Sequence, residues 1–432
     1  MKTLENFGLN IPQILLPADS IPISSWAVIA CDQYTQDREY WQKASDATNG
    51  NASSLNLILP EVFLNDSDKP QRIEKIHSTM EEYLKKDVFK KPLEGFVYLE
   101  RKTAYGRMRK GLMVAVDLES YEWKPDTTAL IRATEATIPE RIPPRMEIRR
   151  GAGLELPHIM LLVNDPERSL VEAAGEKAKK SEPVYSGDLM LNSGSISGWA
   201  IQGDDISAVE SALTKIAKDN TCKDGSVFMF AVGDGNHSLA TAKAVWDEYK
   251  TKNNVTDGAL RYALVEIVNI YDEGLTFEPI HRVLFDVDKD GLIKFCQEKL
   301  GGTVSKCDSA QEMEKRVGDS KASFGFVQTD SNGNVSYQCL DTEITDLAVS
   351  RLQPVLDDFL ATQNNAEIDY IHGTDEVFRL AEKSNAITIL LPPIAKDSFF
   401  STIAGNGPLP RKSFSMGEAS EKRFYLEARS IK

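Results

Sequence analysis

Cysteine is scarce in this chain. Cys31, Cys222, Cys296, Cys307 and Cys339 are odd in number and never closer than eleven positions apart. That spacing excludes a disulfide framework and a zinc knuckle, and it fits a reducing cytoplasm. Cys31 lies in a suggestive neighbourhood, although a free thiol more often serves as a small buried hydrophobe. Positive charge is also short: 50 Lys and Arg face 65 Asp and Glu, a net charge of −15. Such a field repels nucleic acid and anionic lipid, so neither is expected as a partner. No apolar run approaches a membrane span. Residues 1–17, with Lys2, Glu5 and Pro12, lack the apolar stretch of a signal peptide. His-Glu-x-x-His, Walker A, Gly-x-Ser-x-Gly and the dinucleotide Gly-x-Gly-x-x-Gly pattern are all missing, and acids do not cluster with histidines as a metal site prefers. Internal repeats and low-complexity tracts are missing too.

What is present is the composition of a folded globular chain, with 41% hydrophobic and 27% charged residues. Its 432 residues exceed one ordinary core, so two or three lobes are expected. They fall at residues 1–166, 183–282 and 283–432, with the polar stretch 167–183 as an exposed connection.

Ile73, Ile76, Met80, Tyr83 and Leu84 recur at helical spacing across 72–86 and leave His77 on the wet face. Residues 96–101 and 111–117 read as a hairpin turned through Ala104-Tyr105-Gly106. From residue 189 the order is hairpin, helix, apolar strand (227–232), glycine-rich turn, helix and apolar strand (262–270). The first of these helices carries Ile206, Val209, Leu213 and Ile216, with Ser207 and Glu210 as a capping box. Leu239, Ala242, Val245, Trp246 and Tyr249 mark the apolar stripe of the second. Residues 283–432 alternate helical and strand-like runs, and the class is α+β.

The most informative stretch is the turn Gly233-Asp234-Gly235-Asn236-His237-Ser238. A glycine turn feeding a helix presents backbone N–H groups at the positive end of the helix dipole, which attracts phosphate or carboxylate. Gly233 and Gly235 permit positive φ, Asp234 suits a metal or a ligand hydroxyl, and His237 can donate to a phosphate oxygen. A tight turn with Asn236 as N-cap and His237 merely exposed explains the same residues, and spacing alone does not choose. Between 132 and 150, five Arg (Arg132, Arg141, Arg145, Arg149, Arg150) stand against Glu135, Glu140 and Glu147, a local reversal of sign. Forked guanidinium groups suit an anion, and they equally suit surface ion pairs. Pro143-Pro144 favours a held loop over a helix. His281-Arg282 follows Glu278-Pro279 at the edge of an apolar segment, where a His more often packs than catalyses. His158 and His372 rank below it.

Five motifs in order carry a family resemblance. They are Ala30-Cys31-Asp32-Gln33-Tyr34, Arg132-Ala133-Thr134-Glu135, the 233–238 turn, Glu278-Pro279-Ile280-His281-Arg282 and Pro410-Arg411-Lys412-Ser413. With them the chain resembles, over nearly its whole length, the bacterial and archaeal family catalogued as domain of unknown function 1015. The resemblance implies a central core similar to the partition-protein and sulfiredoxin-like fold, whose relatives with a known reaction are free serine kinases. The family's turn usually reads Ala-Asp-Gly-His-His-Arg, so Asn236 and Ser238 depart from it and one cationic phosphate contact is lost. The 132–150 stretch would supply that charge if it folded over the turn.

The resulting expectation is a sulfiredoxin-like α+β core with flanking lobes that binds a nucleotide or another phosphorylated small molecule, in the cytoplasm, as a homodimer or alone. As a phosphotransferase it would use ATP or ADP with Mg2+. Asp32 or Glu135 would act as base or metal ligand together with His237, the 233–238 turn would hold phosphate, and Arg132, Arg145, His281 and Arg282 would stabilise charge. A non-catalytic nucleotide sensor and a metal-dependent phosphohydrolase built on Asp32, Asp234 and His237 are the alternatives.

Overall fold

The computed structural model describes residues 2–432. Extended runs at Phe96–Lys102 (β1), Met108–Asp117 (β2), Ile131–Ala133 (β3), Met160–Val163 (β4), Tyr185–Asp188 (β5), Ser195–Ile201 (β6), Phe230–Asp234 (β7) and Tyr262–Asn269 (β8) join one ten-stranded mixed sheet. Its order is β5-β6-β1-β2-β8-β4-β7-β3, continued by Tyr121–Glu122, with Leu9–Asn10 paired to β2. Alternation along a strand divides the core between two faces. Phe96 and Tyr98 pack with Val114, Leu213 and Trp246 on one face. Val97 and Leu99 pack with Met113, Trp26 and Met80 on the other.

The helices around this sheet are Lys69–Lys85 (α1), Ile142–Arg149 (α2), Val171–Ala178 (α3), Asp205–Asp219 (α4) and Asn236–Asn253 (α5). The order β5-β6 hairpin, α4, β7, turn, α5, β8 is the one expected, and the class is α+β. Several local expectations are corrected. Pro143 and Pro144 open α2 instead of preventing it, because the first helical positions have no N–H bond to lose. Residues 167–183 are no exposed linker: α3 buries Val171, Ala174, Gly175 and Ala178 in the sheet core. Ser207 lies inside α4, which begins earlier than its apolar pattern and has no side-chain cap. Leu84 and Tyr249 stay exposed. His77 is half-buried and its Nε2 lies 2.8 Å from the Ile148 carbonyl, so it ties α1 to α2.

The division of the chain is also redrawn. Residues 1–275 and 418–432 form one compact unit and 276–417 the other. Segments 1–166 and 183–282 do not separate, because β1 and β2 hydrogen-bond to β6 and β8 in one sheet.

The second unit contains strands His281–Phe285 (β9), Thr303–Cys307 (β10), Ser323–Thr329 (β11), Val335–Asp341 (β12), Glu367–Ile371 (β13) and Ala386–Leu390 (β14), in the order β10-β12-β11-β14-β9-β13. Val283, Met313, Val327, Val377 and Leu390 form a core beside it. Here the register of β10 and β12 brings the thiols of Cys307 and Cys339 to 3.2 Å, although 32 positions separate them in sequence.

The return of residues 418–432 to the first unit rests on buried charge. Arg423 bonds Glu266 of β8 at 2.5 Å and pairs with Glu427, and all three are essentially without solvent exposure. Arg109 adds a second cation 3.5 Å from Glu266. Glu266 reaches them by lying over Gly111, where a Cβ would sit 2.3 Å from its carboxylate oxygen. Arg101 and Arg109, facing each other across β1 and β2, donate to three successive carbonyls of the returning segment: Ser420 at 3.0 Å, Glu421 at 2.8 Å and Lys422 at 2.9 Å. Short antiparallel pairings then fix Phe424–Tyr425 to Val28–Ile29 and Arg429–Ser430 to Leu154–Glu155.

Removing one partner of such a cluster strands a buried charge. Arg423→Met is expected to destabilise the first unit by about 3–5 kcal/mol. Arg150→Ala, which breaks the half-exposed pair with Glu248, should cost less than about 1 kcal/mol. Urea denaturation of both variants against wild type checks the contrast.

Candidate functional site

The 233–238 turn connects β7 directly to α5, as its glycines suggest. Gly235 sits at the N-cap with φ 81° and ψ 28°, and a Cβ there would lie 3.0–3.1 Å from Ile159. Both the left-handed backbone and the close approach require glycine. Gly233 plays another part. The antiparallel register of β4 and β7 runs Leu161 to Val232 and then Met160 to Asp234, so Gly233 is the extra residue of a bulge. Since Gly235 offers no side-chain cap, the first turn of an 18-residue helix begins with backbone donors and a positive dipole end.

The same register carries the segment before β4 alongside the turn, and with it His158. Its Nε2 is 2.9 Å from Ser238 Oγ and 3.7 Å from Asp32 Oδ2, and its Nδ1 is 2.6 Å from the Tyr425 hydroxyl. Tyr425 also accepts from the Cys31 amide at 3.2 Å and lies 3.1 Å from Cys31 Sγ. Burial drives the Cys31 thiol and the Tyr425 phenol far above their usual ranges, so both stay protonated. On the other side of the turn, Lys422 places its ammonium 3.4 Å from Asp234. Burial acts to raise the Asp32 pKa. It is outweighed by His158 first, then by the Gln33 amide and Lys422, and the net shift is downward. Asp32 is therefore an ionised acceptor at neutral pH.

Asp32, Asp234, Ser238, His158, Tyr425 and Lys422 thus form one constellation at the start of α5. The first three were expected. His158 was ranked low because a lone histidine between Pro157 and an apolar run carries no spacing signal; the strand after it, β4, supplies the position. Lys422 and Tyr425 gave no signal, being nearly 200 residues from the turn.

Other expected residues have different duties. The His237 ring is neither exposed nor a simple donor: its Nε2 accepts the Ile138 N–H at 3.1 Å and holds the 134–138 loop. Asn236 is the first helical residue, not the cap. Its amide lies 3.4 Å from Thr134 Oγ1, while its Oδ1 is buried without a hydrogen-bond partner. Glu135 is half-buried in the same loop. Arg132 turns away from the turn, donating to Ala129 at 2.8 Å and Ser226 at 3.0 Å under the Phe228 ring. Arg145 pairs with Glu61, Arg149 with Glu155 and Arg150 with Glu248, so the arginine-rich stretch is engaged in internal pairs. Arg145 and Arg149 do reach a cavity wall that also includes Ser238.

His281 and Arg282 belong to β9 of the second unit. The His281 Nδ1 accepts the Leu391 N–H at 3.1 Å, and the buried Arg282 bonds Gln353 and the carbonyls of Ile280 and Lys412. These local bonds account for both side chains structurally. Among the described residues no group of three or more His, Cys, Asp or Glu is arranged to hold a metal ion, so the proposed trio Asp32, Asp234 and His237 does not form one. Among them, too, no helix is long and apolar enough to cross a membrane.

A family model described as "Protein of unknown function (DUF1015)" matches residues 13–358. No curated protein matches the chain. Among solved structures, a conserved hypothetical protein from Pyrococcus furiosus aligns at 12% identity and TM-score 0.35 over 74% of this chain and 95% of that one. A free serine kinase in complex with AMP aligns at 12% identity and TM-score 0.37 over 74% and 91%. SbnI with a C-terminal truncation, from Staphylococcus aureus, aligns at 9% identity and TM-score 0.37 over 73% and 87%.

Two histidine substitutions test these placements. His237→Ala leaves the Ile138 N–H without its acceptor and should cost about 1–2 kcal/mol, against nearly nothing for an exposed ring. Burial lowers the His281 pKa to about 4 from its ordinary 6.5. The folded state then binds fewer protons than the unfolded one, so stability is fully present above about pH 6.5 and declines by up to about 3 kcal/mol as pH falls towards 4. Denaturation of the second unit's transition at pH 7 and pH 4.5 should show this slope in wild type and its loss in His281→Asn.

Proposed function

This chain belongs to the DUF1015 family of proteins of unknown function, and from that premise we propose that it binds a phosphorylated small molecule, a nucleotide first among them, at the start of α5. The observation that carries the reading is the meeting of Gly235, at a helix N-terminus without a side-chain cap, with the ammonium of Lys422 beside Asp234. Helix donors and a lysine together make a phosphate site. Lys422 takes the place of the cation that Ser238 does not provide, because its partner Asp234 belongs to the turn itself, whereas Arg145 and Arg149 are paired with Glu61 and Glu155 away from it.

The residues around this point also suit phosphoryl transfer to a small hydroxyl compound, the class of activity that the family resemblance implies through a core similar to that of free serine kinases. Such catalysis consists chiefly of positioning and charge stabilisation. Asp32, kept ionised, would accept the hydrogen bond of the attacking hydroxyl, and Lys422 would balance charge gathering on the transferred group. His158, held between Tyr425 and Ser238, would fix the orientation of Asp32.

Calorimetric titration with ATP, ADP, AMP and inorganic phosphate tests it on wild type and Lys422→Met. Loss of a charge-assisted bond should weaken the tightest ligand about ten- to a hundredfold. Equal affinities in the two proteins, or no binding by any of the four, would overturn the assignment. Consumption of ATP with hydroxyl amino acids then separates an enzyme from a sensor.

A further inference from the structure

Behind the turn lies a cavity of about 150 Å³ in the first unit, open on one side. Leu57, Leu59, Met80, Ile148, Leu154 and Leu264 are among the apolar residues of its wall, while Ser238 and His158 form the edge nearest the turn. Four charged side chains also reach the wall, but as closed pairs: Arg145 with Glu61, and Arg149 with Glu155, whose carboxylate is bonded by Arg429 as well. The four charges pair off, and Arg149 Nε is left as a buried donor without a hydrogen-bond partner.

From this combination we infer that the cavity is a binding site for a compact, uncharged, mainly apolar molecule or group, of the size of a single aromatic ring, distinct from the anion position at the turn. A mainly apolar cavity of about this volume is large enough for a benzene-sized guest. A charged guest would have to give up its hydration for at most one free donor, on an arginine whose charge is already paired with Glu155, which disfavours it. The few polar groups at the rim, Ser238 Oγ, His158 and the Tyr425 hydroxyl, allow one hydroxyl or ring nitrogen on the guest. Because the edge shared with the turn is Ser238 and His158, a guest here would lie against the residues that flank bound phosphate. The inference stands without phosphate, since the probes carry none.

The test uses the full chain with benzene, phenol and indole as neutral probes, and benzoate and inorganic phosphate as anions. Neutral probes near saturation should raise the melting temperature by about 2–5 °C, while benzoate should do so far less than benzene. Ala152→Leu, which places extra methyl groups in the cavity, should abolish the shift while leaving any phosphate affinity in place. Should that variant fold poorly, equilibrium dialysis of indole against wild type with benzene as competitor gives the same answer: saturable, displaceable binding of one molecule per chain is expected. No saturable neutral-probe binding to wild type, or benzoate binding as well as benzene, overturns the inference. Failure of phosphate alone would count only against the anion site.

Discussion

Three arginines and two glutamates buried against the middle of a sheet decide where the last stretch of this chain goes. Arg423, Glu266 and Glu427 have no water to turn to, so each depends on the others, and Arg109 completes the balance around Glu266. Arg101 and Arg109 then hold three consecutive carbonyls of the segment. The cost of desolvating these groups is large, and it is offset only when all partners are in place. The arrangement is thus close to all-or-none. Lys422 and Tyr425 reach the start of α5 because the backbone between them is held at both ends.

The site is a meeting of two geometries. One is local: strand, bulge, left-handed glycine and helix, which aim backbone donors outward at one point. The other is long-range: β4 runs antiparallel to β7 and brings His158 to the turn, while the Phe424–Tyr425 pairing to Val28–Ile29 sets Tyr425 beside Cys31 and Asp32. In this setting Ser238 gains a role that a larger cation at its position would not have, as the hydrogen-bond neighbour of His158.

How much of this could be read from the residues follows from the range of the interactions. The turn, the helix after it and the order of elements from 185 to 269 are encoded in periodicity and glycine placement within a few residues, and they stand as expected. Trp246 and Val245 are buried as their stripe required, whereas Tyr249, at the end of that stripe, extends beyond the core and is exposed. The partners of the arginines were not legible, because Glu61 and Glu248 lie roughly a hundred residues away from Arg145 and Arg150, and only tertiary packing pairs them. The same holds for Lys422. Pro143-Pro144 misled for a different reason: a proline pair disfavours the interior of a helix but suits its first turn, and sequence alone does not say which position it occupies.

Residues 418–432 follow the whole of 276–417 in the chain, yet they complete the unit that began with the first residues. Domains that finish early on the ribosome can fold as soon as they emerge. Here the first unit must wait, with Glu266 and the arginines of β1 and β2 lacking their counterparts, until synthesis has passed through the other unit. A chain cut short within 276–417 would carry the glycine turn and Asp32 but neither Lys422 nor Tyr425. Only a ribosome that reads through to the final segment delivers the constellation, so incomplete products are born without it.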